Sequence, residues 1–141
     1  MELLVKLIQQ LLKINNNTQK KGLKLESPTQ KCGEYFELQA IELLRKKGFK
    51  LIARNFQCKL GEIDVIMQDN STLVFVEVRY RKDSYHGSAE ESITPSKQKK
   101  LIKTTEFFCL QNPQFQSLSK RIDVVAFNPP KVNIIHNAVV Q

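Results

Sequence analysis

Gly61-Glu62-Ile63-Asp64-Val65-Ile66-Met67-Gln68-Asp69-Asn70-Ser71-Thr72-Leu73-Val74-Phe75-Val76-Glu77-Val78-Arg79-Tyr80-Arg81 is the stretch that decides the fold. Two runs rich in β-branched residues flank Asp69-Asn70-Ser71, whose side chains favour turns, so the stretch reads as a hairpin with strands over 62–68 and 73–79. With Asn70 and Ser71 as the central turn residues, Asp69 pairs with Thr72 and the rest of the register follows. One face then carries Ile63 with Val78, Val65 with Val76 and Met67 with Val74, all apolar. The other face is apolar near the turn, where Ile66 meets Phe75, and charged at its far end. There Asp64 meets Glu77, and Glu62 meets Arg79.

Like charges directly opposite on one sheet face repel, and the cost grows when the face is covered. Two kinds of compensation are open. A hard divalent cation bound by carboxylate oxygens would do it, as would a structural ion network of Arg79 and another basic side chain.

Outward from the hairpin, apolar positions Tyr35, Leu38, Ile41 and Leu44 predict a helix over 30–47 that stops at Gly48. A strand over 49–56 and a turn over 57–61 lead into the hairpin. After it comes a loop holding Tyr85, His86, Gly87 and Ser88. Thr94-Pro95 then offers a helix start, because threonine caps free amides and proline is tolerated at the first helical position. Leu101, Ile102, Thr105, Phe108 and Cys109 give this second helix an apolar face, with Lys97, Lys100 and Lys103 on another, and Pro113 ends it. Strands over 121–127 and 132–136, joined by Asn128-Pro129-Pro130, complete an αβββαββ order. This is an α/β fold with a mixed central sheet flanked by helices, in which a right-handed helical crossover joins the third strand to the fourth if those two are parallel neighbours.

Upstream, Leu4, Leu7, Ile8, Leu11 and Leu12 recur at helical spacing, which predicts an amphipathic helix over 1–14. It is too short and too polar to span a bilayer. Docking on its own domain, on a second copy to form a homodimer, on another partner or on a membrane surface all remain open. The polar composition over 15–29 reads as a linker, leaving 30–141 as the domain.

The 141 residues suit one domain, and 22 Lys and Arg against 14 Asp and Glu give a formal charge of +8. That balance favours polyanionic partners: nucleic acid first, anionic membrane second. Cys32, Cys58 and Cys109 lack zinc-ligand spacing and read as buried free thiols of a cytoplasmic protein, and His86 and His136 read as surface or loop residues. Glu34, taken alone, is a favourable charge near a helix N-terminus.

Gly61-Glu62-Ile63-Asp64-Val65, followed by Val74-Phe75-Val76-Glu77-Val78-Arg79-Tyr80-Arg81, resembles the PD-(D/E)xK nuclease superfamily. More closely, the chain resembles the YraN family of uncharacterised bacterial proteins. The likeness runs from about Gln30 to the C-terminus and includes Gly33-Glu34, Arg54-Asn55, the stretch from Ser92-Ile93-Thr94 to Lys100, and Arg121-Ile122-Asp123-Val124-Val125. The resemblance implies a restriction-endonuclease-like fold related to Holliday-junction resolvases. It implies Glu34, Asp64 and Glu77 as ligands of Mg²⁺ or Mn²⁺, and places Arg79 where the superfamily carries its lysine. A guanidinium stays protonated, so water activation would fall to the metal or to a lysine from the second helix, of which Lys97 is the earliest.

The expected function is therefore a Mg²⁺- or Mn²⁺-dependent endonuclease hydrolysing DNA phosphodiesters in branched or damaged structures. Asp64, Glu77 and Arg79 are its catalytic candidates, and Arg81, Lys82, Lys97, Lys100 and Lys103 would contact phosphates. Its rivals are a non-catalytic nucleic-acid-binding module on the same fold and an interaction or membrane-surface protein acting through the N-terminal helix.

Overall fold

The computed structural model describes residues 28–81 and 87–139. The helix expected over 1–14, nearly all of the expected linker and Lys82 lie outside the described residues. The chain separates into two compact units, Met1–Glu34 and Tyr35–Gln141. Of the first unit, the described part is the opening of helix α1 (Pro28–Lys46).

In the second unit the rest of α1 is followed by β1 (Lys50–Cys58), β2 (Gly61–Asp69), β3 (Thr72–Tyr80), α2 (Pro95–Gln111), β4 (Ser119–Asn128) and β5 (Lys131–Ile135). The αβββαββ order of the sequence reading is therefore the order of the fold. The five strands form one sheet in chain order; β3 and β4 run parallel, and the other neighbours are antiparallel. A parallel pair needs a long crossover, and α2 supplies it.

The two helices cover opposite faces of the sheet. Phe36 of α1 stacks on Tyr80 at 4.3 Å, whereas Phe108 of α2 meets Phe75 edge-on at 5.7 Å. Tyr80 and Phe75 lie five positions apart on β3, so strand alternation sends them to opposite sides. Beneath α1 the buried positions Ala40, Ile41 and Leu44 repeat at helical spacing; beneath α2 the stripe is Leu101, Thr104, Thr105 and Phe108. Burying the two threonines costs little, because Thr104 Oγ1 donates to the Lys100 carbonyl and Thr105 Oγ1 to that of Ile102, both at 2.7 Å.

Helix boundaries follow the signals in the sequence. Gly48 adopts a φ of +94° after α1, where the Gly48 and Phe49 amides donate to the Arg45 and Leu44 carbonyls. At the start of α2, Thr94 Oγ1 accepts from the Lys97 amide at 3.2 Å with Pro95 as the first helical residue. Every strand passes an expected limit, and two of them do so by two residues at one end. β1 runs on through Gln57 and Cys58, which pair with Glu62 and Gly61, so the β1–β2 turn shrinks to Lys59-Leu60. β4 begins at Ser119, because parallel pairing with β3 starts at Thr72↔Ser119. No helix of the described residues is long and apolar enough to cross a membrane.

Candidate functional site

The β2–β3 ladder pairs Asp69 with Thr72, Gln68 with Leu73, Met67 with Val74, Ile66 with Phe75 and Val65 with Val76, the register expected from the turn. It ends there. Continuing the register would set Asp64 against Glu77 and Glu62 against Arg79, but neither pair is made in the ladder. On its other side, β2 pairs Val65 with Arg54 and Ile63 with Phe56, and again Asp64 has no partner. The strand residue opposite it is Asn55, which adopts a left-handed φ of +50°, a conformation that asparagine tolerates better than most residues. Asp64 thus lies just past the end of the β2–β3 ladder, while the β1–β2 register runs unshifted from Arg54↔Val65 to Phe56↔Ile63 and has its irregularity between Leu51 and Ala53. The Asp64 side chain fills the gap toward β3: Oδ2 accepts a hydrogen bond from the Val78 amide at 2.9 Å.

Glu77 is 2% exposed and lies on the α2 side of β3, as Phe75 does. Its Oε1 is 3.2 Å from Arg79 Nε and 3.4 Å from Lys97 Nζ, while its Oε2 is buried with no hydrogen-bond partner. Burial pushes the Glu77 carboxyl up to about 7, and the nearby Asp64 charge adds to the rise; Lys97 and Arg79 offset only part of it. Asp64 is likewise raised by burial, against the pull of the Val78 amide. Desolvation outweighs the neighbouring cations, which is the signature of a carboxylate pair short of positive charge.

Lys97 does not share a face with Lys100 and Lys103, as the sequence reading had it. It stands on the inner stripe of α2 with Leu101, Thr104 and Phe108, whereas Lys100 and Lys103 are exposed. Close helix–sheet contact fixes this placement. A Cβ on Gly61 would lie 2.9 Å from Thr104 Oγ1, so only glycine lets α2 settle so near the start of β2. Arg81 lies just past the end of β3, its amide bonded to the Phe127 carbonyl and its Nε buried without an acceptor. Arg79 Nε, although within ion-pair distance of Glu77, also lacks an aligned hydrogen bond. Glu34 belongs to the unit that ends with it, and its role as a ligand rests on the resemblance alone. Among the described residues no three His, Cys, Asp or Glu side chains gather as a metal-ligating group.

The sequence reading passed over a second charged cluster. Asp123 is wholly buried; Arg121 Nε reaches both its oxygens at 3.0 and 3.1 Å, His136 Nδ1 lies 2.8 Å from Oδ2, and the Asn137 amide donates to Oδ1 at 2.9 Å. Arg121 Nη2 also binds Asp69 Oδ2 at 3.1 Å. Asp123 pairs with Val76, the neighbour of Glu77 in β3, and so faces away from Glu77. Every oxygen of Asp123 is satisfied, which makes it a structural tie between β4 and the chain after β5. The sequence signal for it was Arg121-Ile122-Asp123, an alternating charge pair in an otherwise apolar strand.

Residues 36–127 match the sequence model of the uncharacterised protein family UPF0102. Relatives called UPF0102 protein include one from Herminiimonas arsenicoxydans, 48% identical over 76% of this chain and 85% of its own length. One from Psychrobacter cryohalolentis is 47% identical over 77% of this chain and 66% of its own length. Another, from Aliivibrio fischeri, is 45% identical over 77% of this chain and 91% of its own length. Asp64, Glu77, Arg79 and Lys97 all fall inside the matched residues; Glu34 and His136 fall outside.

Proposed function

The chain belongs to the UPF0102 family, the YraN family of the resemblance above, and from that premise we propose a divalent-metal-dependent nuclease that hydrolyses DNA phosphodiesters in branched or damaged structures. The observation that carries this reading is Glu77, a buried carboxylate whose Oε2 accepts no hydrogen bond, set beside Asp64 at the point where the β2–β3 ladder ends. Asp64 and Glu77 offer oxygen ligands only, a donor set that fits Mg²⁺ or Mn²⁺ better than zinc. Such an ion, when bound there, would polarise a phosphoryl oxygen and ease deprotonation of the attacking water.

The chain's own cations do the rest. Arg79 presents a planar fork suited to the oxygens of a phosphate. Arg81, one strand repeat further on, carries a buried Nε without an acceptor, which a second phosphate oxygen would satisfy. Lys100 and Lys103 extend the basic surface along the exposed side of α2, where point charges position a duplex without reading its sequence.

A second reading also has an observation in its favour. Arg79 and Lys97 already lie against Glu77 Oε1, as a purely structural ion network requires, and this suits a nucleic-acid-binding module without turnover. Incubation with linear, single-stranded, flapped and four-way-junction DNA plus Mg²⁺ or Mn²⁺ separates the two. The nuclease reading expects cutting of at least one substrate by the wild type and none by Asp64→Ala or Glu77→Ala, with DNA binding kept by both variants. Undiminished cutting by both variants would remove the site from the account, and binding without cutting would favour the module. In either reading, Lys100→Ala combined with Lys103→Ala should flatten the slope of log affinity against log salt by about 2, near one unit for each lost phosphate contact.

A further inference from the structure

We propose that Lys97, brought in by helix α2, supplies to this site the lysine that strand β3 replaces with Arg79; the inference rests on the nuclease reading. Three features of the fold place it. Thr94 caps the Lys97 amide and so anchors the first turn of α2 beside β3. The close approach of Thr104 to Gly61 sets the height of the helix on the sheet, and Lys97 lies on the same inner stripe two turns earlier. Its ammonium then reaches Glu77 Oε1 at 3.4 Å with its side chain 27% exposed, open enough to meet a substrate. Lys99, Lys100 and Lys103 of the same helix are exposed, so Lys97 is singled out by geometry.

Arg79 and Lys97 share one oxygen of Glu77, yet their chemistry differs. A planar guanidinium is shaped to grip a phosphate edge. An ammonium is compact and has three donors, of which one faces Glu77 and the others remain for the attacking water and a non-bridging phosphate oxygen. In the hydrolytic step the water oxygen bonds to phosphorus as the bond from phosphorus to the leaving oxygen breaks. The water's proton passes to solvent, and the leaving oxygen takes one from solvent. Lys97 orients the water and balances charge that develops on the phosphoryl oxygens.

The test compares full-length wild type, Lys97→Ala and the double variant Lys97→Ala/Arg79→Lys by Mn²⁺ calorimetry, thermal denaturation and single-turnover DNA cleavage. Lys97→Ala is expected to stay folded and to bind Mn²⁺ no more weakly than wild type, since a competitor for Glu77 has gone. Its cleavage rate should fall on the order of 10²–10³-fold, the usual effect of losing one such donor. The double variant returns a lysine to Glu77 from the strand, and should recover roughly tenfold over Lys97→Ala, a rescue that a counter-ion role alone would not give. Cleavage by Lys97→Ala at the wild-type rate overturns the proposal while leaving the nuclease reading intact, as does parallel loss of folding, Mn²⁺ binding and cleavage without rescue. A wild type that binds Mn²⁺ yet cuts no substrate overturns the nuclease reading itself, and this role with it.

Discussion

Asp123→Ala is expected to lower the unfolding free energy by about 3–5 kcal/mol, the range seen when one member of a buried ion pair is removed, and Tm by on the order of 10–20 °C. Asp123 is fully buried and takes donors from Arg121, His136 and the Asn137 amide. Truncation strands all of them. Arg121 keeps Asp69 as a partner, which limits the damage, but the Asn137 amide loses the acceptor it has in Asp123 Oδ1. His136→Ala should cost far less, about 1 kcal/mol, because its side chain is half exposed and its departure leaves Asp123 with Arg121 and the amide. Urea denaturation of both variants checks the contrast; equal effects would mean that the cluster is not organised around the buried carboxylate.

Glu77→Gln should act in the opposite direction on stability. The Glu77 carboxyl ionises near 7 in the folded chain against an ordinary value of 4.5, so between those limits the folded state holds a proton that the unfolded state has released. Stability from this group is therefore greatest below about pH 4.5 and is lost as pH rises through about 7. At pH 8 the metal-free protein carries a cost on the order of 3 kcal/mol from forcing Glu77 to ionise in a buried place. Glutamine has no such cost. The variant is expected to be more stable than the metal-free wild type at pH 8 and to lose the fall in stability between pH 5 and pH 8. Denaturation midpoints across that range provide the check, and a wild type as stable at pH 8 as at pH 5 would contradict it.

Much of this architecture was legible in the sequence because it rests on local signals. Asp69-Asn70-Ser71 fixed the hairpin register, Thr94-Pro95 and Gly48 set helix limits, and alternation along 62–79 named the buried faces. What could not be read there depends on departures from regularity. Uniform pairing predicted Asp64 directly opposite Glu77, whereas the β2–β3 ladder ends at Val65↔Val76 and the Asp64 carboxylate takes the place of a backbone acceptor. Asn55, an asparagine within a strand, was a local sign of irregular backbone beside Asp64, and it adopts a φ of +50°. Lys97 was grouped with Lys100 and Lys103 by charge, but helix phase set by Thr104 against Gly61 turned it inward. The Asp123 cluster joins residues from β2, β4 and the chain beyond β5, a meeting that tertiary packing alone determines.

The central claim is that Asp64 and Glu77 hold a divalent cation, and Mn²⁺ titration followed by calorimetry at neutral pH tests it most directly. The account predicts saturable binding by the wild type that is lost in both Asp64→Asn and Glu77→Gln while each variant remains folded. Absence of saturable binding by the wild type, or equal binding by both variants, would contradict it.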